Sequence, residues 1–277
     1  MSIEQYSPTG FNFLPPVVKN LLIINGLFFL ASISLKNAHI IDLNTYLGLF
    51  YVGSPLFRPF QFVSYMFMHA DFPHILYNMF AVWMFGYLLE NAWGSKKFLT
   101  FYMITGIGAG IIQTLVQYWH FSSLEASALT FAQAPNLDAF IRFIHSNAHL
   151  DGENSRMIAD FISQWKLSPE NPILIGQSVN YANEIANYGM DIPTIGASGA
   201  VFGILLAFGM MFPNMMVYLF FVLPLKAKYV VIGYGAMELF SGISNDPNDN
   251  VAHFAHLGGM LFGFLLILYW RKKSAYR

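Results

Sequence analysis

The sequence predicts an all-α, polytopic membrane protein with six transmembrane helices and a long extracytoplasmic insertion between the third and fourth. Composition is the first ground: 56% of residues are hydrophobic and only 10% charged, with a mean hydropathy of +0.48, far from the roughly quarter-charged makeup of soluble domains. Apolar stretches of membrane length are the second. They fall near 17–35, 62–89, 98–118, 196–212, 228–242 and 252–270. The first follows Met1–Pro16, which lacks the basic flank and cleavage pattern of a signal peptide and is expected to stay attached. The second contains Asp71, which reads as a cap, and Pro73, which suits a first helical turn. Between the fourth and fifth, Pro213–Leu225 is apolar yet short and proline-bounded, and reads as an interfacial connection.

Charge gives the third ground, the orientation. Lys96 and Lys97, Lys226 and Lys228, and Arg271, Lys272, Lys273 and Arg277 occupy alternate connections and the C-terminal tail, so the positive-inside rule places them in the cytoplasm together with both termini. Residues 119–195 then lie outside, in keeping with eight acids from Glu125 to Asp191 against Arg142, Arg156 and Lys166. The organisation expected is a tail with helices 1–3 over 1–118, a helical insertion over 119–195, and helices 4–6 with a tail over 196–277. Within the insertion, Phe140, Ile141 and Ile144 recur at helical spacing. Met157, Ile158, Phe161, Ile162 and Trp165 do so again, after a cap at Asn154 or Ser155. These short amphipathic helices are expected to rest their apolar faces on the bilayer or the helix bundle, or else to serve as a lid or substrate-selecting element, and composition does not decide between the two. A net charge of −1 and the lack of any basic stripe exclude a nucleic-acid role. Without a single cysteine there are neither disulfides nor thiolate metal sites.

The chemistry concentrates at three places. Gly196-Ala-Ser198-Gly199-Ala-Val-Phe202-Gly203 sets a serine between glycines at the head of an apolar span. The glycines allow close backbone approach, so the Ser198 hydroxyl can be exposed while its amide stays unpaired at a helix N-terminus, where it could hold an oxyanion. The last span opens with His253-Phe-Ala-His256-Leu-Gly-Gly259, and an ionisable residue inside a membrane is functional by default. Gly199 and Gly203 on one span and Gly259 and Gly263 on the other form small-residue faces that let these helices touch, which brings Ser198 and His256 together. A serine with a base is the minimum for acyl transfer. Third, His69-Ala-Asp71-Phe-Pro73-His74-Ile-Leu-Tyr-Asn78 places His74 and Asn78 on one helix face as hydrogen-bond donors.

Taken together these motifs resemble the rhomboid intramembrane serine proteases, across all six spans but not over the 119–195 insertion. The resemblance implies a Ser198–His256 catalytic dyad with no third acidic member. It also implies an oxyanion hole made by the Ser198 amide, His74 and Asn78, with the Phe202 ring packed against His256. Gly196, Gly199 and Gly259 support this geometry. Glu90, followed by Trp93-Gly94-Ser95, matches the end of the family's second helix, where the role is structural. Where many members carry Trp-Arg in the first outer loop this chain has Phe60-Gln61, with Arg58 slightly upstream. The expected activity is endoproteolysis of transmembrane segments of other proteins, with no cofactor and no metal. Expected partners are transmembrane protein substrates and the lipid bilayer, in a bacterial inner membrane.

Other readings compete. A metal enzyme could draw on His253 and His256 with His69 or His74, but neither a His-Glu-x-x-His motif nor a carboxylate pair accompanies them. Gly106-Ile-Gly-Ala-Gly110 superficially resembles a nucleotide loop, yet lies inside a span with no preceding strand, and helix packing explains it better. A transporter would show inverted repeats. The alternative from a different class is a catalytically silent rhomboid-like protein that binds transmembrane clients, whose sequence signature would be loss of Ser198 or His256.

Overall fold

A computed structural model of the protein describes residues 12–148, 152–219, 222–244 and 251–275, and 76% of it is helical. The basic cluster's Arg277 and the tail Met1–Phe11 lie outside the described residues. Two compact units divide the chain: one comprises residues 1–50, 56–113 and 193–277, the other 51–55 and 114–192.

The first unit begins with α1 (Pro16–Asn37). Pro16 has no amide to satisfy at the helix start, and the next two amides, of Val17 and Val18, donate to the two carboxyl oxygens of Glu90 at 2.9 and 2.8 Å. The Ser95 hydroxyl donates to the same side chain at 2.6 Å. A buried glutamate thus joins α1, α4 (Phe72–Trp93) and the start of α5 (Ser95–Gln133). Between α1 and α4 run α2 (Leu43–Leu47), α3 (Gln61–Ser64) and a 3-10 turn at Tyr65–Phe67. Gln61 organises this loop from a buried position. Its amide donates to the Tyr46 and Leu56 carbonyls, and its oxygen accepts from the Arg58 and Phe50 amides. The residue that departs from the family pattern is therefore a fourfold hydrogen-bonding clamp. The helix expected to begin near 62 begins instead at Phe72, because Asp71 caps it by accepting from the His74 amide at 2.8 Å.

The chain continues with α9 (Ser198–Met211), α10 (Ala227–Ser244) and α11 (His253–Ala275). Helix α9 packs against α4, α10 and α11, and most of its residues are buried. Its closest approach is to α11, where a Cβ on Gly259 would land on the Gly199 carbonyl. Gly106 and Gly110 are packing glycines on α5: side chains there would meet Met66 at the first, and Leu49, Phe62 and Tyr65 at the second. The stretch read as an interfacial connection contains an antiparallel pair, β1 (Met216–Leu219) and β2 (Leu223–Lys226), the two strands found among the described residues. Pro213 and Pro224 disfavour helix here, and a two-stranded ribbon tolerates a proline that a sheet interior would not.

Four helices are long and apolar enough to cross a membrane: Pro16–Asn37, Phe72–Trp93, Ser95–Gln133 and His253–Lys273. The protein is an integral membrane protein built of helices. The third helix continues 15 residues beyond the expected end at 118, since nothing breaks it before Pro135 and the new cap at Asn136.

In the second unit the C-terminal part of α5 is joined by α6 (Leu137–Asn147), α7 (Gly152–Leu167) and α8 (Pro172–Asn187). The apolar faces expected to rest on bilayer or bundle pack on one another. Trp165 and Phe140 are fully buried, with Phe131, Phe143, Phe161 and Ala182 around them. Phe161 meets Tyr181 edge-on at 5.0 Å. These helices form a core of their own because their apolar stripes can bury one another.

Candidate active site

Ser198 opens α9. Its predecessor Ala197 provides no side-chain cap, so the first amides of the helix lack capping partners from that side chain. The turn into the helix depends on Gly196, whose φ of +123° is a conformation that L side chains rarely adopt. A Cβ there would also sit 2.7 Å from His74 Nε2. The Gly196 amide donates to the Tyr65 carbonyl at 2.9 Å, and the Tyr65 hydroxyl donates to the Gly106 carbonyl at 2.6 Å. The turn is thereby fixed to α5 through one buried tyrosine.

One turn into α11, His256 presents Nε2 to Ser198 Oγ at 2.8 Å. The two side chains come from positions 58 residues apart, and the α9–α11 crossing at Gly199 and Gly259 lets them meet. Phe202, one turn along α9 from the serine, stacks on the His256 ring with centroids 4.2 Å apart and an 8° interplanar angle. This flat contact covers one face of the imidazole and leaves its two nitrogens at the edge.

The other edge of the ring meets a residue that the sequence reading passed over. His256 Nδ1 lies 2.8 Å from Glu238 Oε2, and His253 Nδ1 lies 2.6 Å from the same oxygen. A carboxylate oxygen accepts, so each Nδ1–H donates to it. Glu238 and His256 are buried and His253 nearly so. The three donor atoms lie within 4.8 Å of one another. Two imidazoles and a carboxylate are a donor set suited to borderline divalent ions, although each imidazole here spends its Nδ1–H on the carboxylate. The metal constellation weighed from sequence paired these histidines with His69 or His74, not with Glu238. The signal that could have found Glu238 is its chemistry: an acid flanked by apolar residues well inside a helix.

His74 and Asn78 lie one turn apart on α4. His74 Nδ1 accepts weakly from the Ala70 amide at 3.4 Å, which leaves Nε2, the nitrogen beside Gly196, to act as the outward donor. Asn78 is buried, and its side chain makes no hydrogen bond among the described residues. His69 packs edge-on against His74 at 5.0 Å. It is buried, its ring nitrogens meet no partner at hydrogen-bonding geometry among the described residues, and burial, with His74 adding to it, pushes its imidazole down to about 4. The structure thus assembles Ser198, His256, Phe202 and Gly196 with His74 in contact range of that turn, and adds Glu238 and His253.

Chemically, such an arrangement offers a hydroxyl nucleophile bonded to a base, a stack that fixes the base, and amide and imidazole donors near the nucleophile. Comparison with known proteins agrees with the sequence motifs. Residues 57–135 and 157–273 match the model of the Rhomboid domain. An uncharacterized mitochondrial rhomboid protein of Schizosaccharomyces pombe is 25% identical over 239 residues, covering 79% of this chain and 53% of that protein. A chloroplastic rhomboid-like protein of Arabidopsis thaliana is 35% identical over 72 residues, 26% of each chain. The rhomboid protease AarA of Providencia stuartii is 34% identical over 60 residues, 22% of this chain and 21% of that one. The chain spans about half, or less, of the length of these relatives.

Proposed function

The chain belongs to the rhomboid family, and from that premise we propose that it is an intramembrane serine endopeptidase cleaving transmembrane segments of other membrane proteins. The observation that carries this reading is the 2.8 Å contact between Ser198 Oγ and His256 Nε2 at the head of a buried helix. In the family's six-helix arrangement, α1, α4, α5, α9, α10 and α11 are the transmembrane helices, and the insertion between the third and fourth lies outside. Helix α9 has 14 residues, a rise of about 21 Å against a hydrocarbon core of about 30 Å. At least one end of α9 therefore stops within the thickness of the membrane, which suits a nucleophile that must reach a bond inside it.

The reaction proceeds in two halves. His256 Nε2 takes the Ser198 hydroxyl proton as Oγ bonds to the scissile carbonyl carbon. The resulting oxyanion is held by the Ser198 amide, His74 and Asn78. As the C–N bond breaks, His256 returns the proton to the leaving amine, and the serine is left acylated. Water, deprotonated by His256, then attacks the acyl carbon; the bond from that carbon to Oγ breaks, His256 returns the proton to Ser198 Oγ, and the new carboxyl end is released. Helical amides are inaccessible to a nucleophile, so the substrate segment must unwind locally, and small or helix-breaking residues near the cut favour this.

Multi-pass membrane insertion is common ground. The bacterial inner membrane expected from sequence draws no support from relatives named as mitochondrial and chloroplastic.

The test is cleavage of a fluorogenic transmembrane-segment substrate in proteoliposomes by wild type, Ser198→Ala and His256→Ala, with and without a chelator. Activity lost in both variants and indifferent to chelator supports the serine mechanism. Cleavage by Ser198→Ala would overturn it. A wild type silent towards several substrates would favour the client-binding alternative.

A further inference from the structure

We propose that Glu238 is the positioning residue of the catalytic histidine, fixing the tautomer and orientation of His256 through its Nδ1, so that this chain works as a Ser198–His256–Glu238 relay and not as a bare dyad. The inference rests on the protease reading and deepens it. Its ground is geometric. A histidine can serve as a base towards Ser198 only if Nε2 carries the lone pair, and this requires the hydrogen to be on Nδ1. Among the described residues, the acceptor placed to hold that hydrogen is Glu238 Oε2, at 2.8 Å. The Phe202 stack restrains tilting of the ring but cannot choose between its tautomers or between its two flipped orientations, because it touches the face and not the edge.

Two further observations agree. Glu238 comes from α10 and His256 from α11, so the contact bridges two helices across a buried junction. A carboxylate in such a place is costly unless hydrogen-bonded, and the second imidazole, His253, supplies a further donor at 2.6 Å. His253 shares that carboxylate oxygen with His256, and its ring stands edge-on to that of His256 with centroids 6.3 Å apart. The hydrogen bond from His253 orients Oε2, and Oε2 orients His256. During acyl transfer, when His256 holds both protons, Glu238 faces the developing imidazolium and stabilises it, while the serine proton still travels only between Oγ, Nε2 and the leaving amine.

The experiment compares wild type, Glu238→Ala, Glu238→Gln, Glu238→Asp and His253→Ala in proteoliposomes, with Ser198→Ala as the blank. Substrate cleavage is read as separate kcat and KM over a pH series, and nucleophile reactivity as the rate of labelling by a fluorophosphonate. Expected is a fall in kcat on the order of 10³-fold in Glu238→Ala with KM nearly unchanged. Glu238→Gln should be at least as impaired, because its amide can donate to Nδ1 and so enforce the wrong tautomer. Glu238→Asp should recover part of the loss, and His253→Ala should lose roughly tenfold or less, in line with losing one supporting hydrogen bond.

The acid limb of kcat/KM should differ between Glu238→Ala and wild type, since the carboxylate facing His256 is gone. The titratable groups facing His256 are Glu238 on α10, His253 on α11 and His74 on α4, and substituting His253 separates its share. A merely structural Glu238 would lower the folded fraction without moving that limb or the labelling rate per folded molecule.

Wild-type kcat and an unmoved limb in folded Glu238→Ala and Glu238→Gln would overturn the proposal. Should wild type neither cleave nor label, the protease reading fails, and the Glu238 proposal is then decided by ¹⁵N shifts of the His256 ring in micelles. A single Nδ1–H tautomer that becomes mixed in Glu238→Ala supports it, and an unchanged tautomer refutes it.

Discussion

Replacing Glu90 separates what holds this bundle together from what performs chemistry in it. The side chain is 2% exposed and accepts from the Val17 amide, the Val18 amide and the Ser95 hydroxyl. In Glu90→Ala the hydroxyl can rotate towards another acceptor, but the two amides are fixed by α1 and lose their partners. An unsatisfied buried donor costs about 1–3 kcal/mol, so the expected loss for two is about 2–6 kcal/mol. Glu90→Gln is expected to lose about half as much, because one amide keeps an oxygen while the other is turned towards an N–H₂ group; about 1–3 kcal/mol is expected. Denaturation by SDS in mixed micelles, followed by tryptophan fluorescence, measures both. Glu90 lies 12 residues along α4 from Asn78, about 18 Å, so the protein that remains folded should label with fluorophosphonate at the wild-type rate. A Glu90→Gln variant within about 0.5 kcal/mol of wild type, a shift no larger than an ordinary surface substitution gives, would refute the capping argument. Slowed labelling of the folded fraction would refute the separation of structure from catalysis.

Other consequences are open to measurement. Gly259→Ala forces a methyl onto the Gly199 carbonyl and should part α9 from α11, with a labelling rate lower by about 100-fold, the effect of a misplacement near 1 Å; labelling at the wild-type rate would contradict the crossing described. Gln61→Leu removes all four hydrogen bonds of that side chain and should cost about 1–3 kcal/mol while activity per folded molecule is kept, checked by thermal inactivation beside active-site titration. The buried His69, held down to about 4 from an ordinary value near 6.5, stays unprotonated in the fold while the unfolded chain takes up the proton first. Its contribution is therefore complete above about pH 6.5 and is lost as pH falls through about 4, some 3 kcal/mol in all; His69→Phe should flatten stability across that interval, and an unchanged pH slope would count against it.

How much of this was legible in the sequence depended on whether the signal was local. The start of α4 could be read because Asp71 and Pro73 are a cap and a first-turn residue two positions apart, even though the apolar run around them suggested an earlier beginning at 62. Helix α5 ran past 118 because hydropathy ends where the membrane would end, whereas a helix ends only at a breaker, here Pro135. The insertion's helices were visible by their spacing, but not that their stripes would bury one another around Trp165, since partner choice between amphipathic faces is not written in either one. The ribbon at Met216–Lys226 was missed for a related reason: an apolar, proline-bounded stretch excludes helix without naming what replaces it.

The same distinction governs the site. Ser198, His256, His74 and Asn78 stood out because each sits in a dense local pattern of glycines, a cap or an i, i+4 pair. Glu238 sits in no pattern; its neighbours Met237 and Leu239 are apolar and exposed, and its partner is 18 residues away on another helix. What marks it is the cost of its position. An acid placed among apolar residues at a helix junction persists only where something nearby makes it worth keeping, and two imidazole N–H groups at 2.6 and 2.8 Å do so. Because a family pattern is silent about a residue outside its motifs, a search confined to those motifs returns a dyad by construction. Weighing each buried charge by what compensates it returns Glu238 as well, and with it a distinct expectation for how the rate depends on pH.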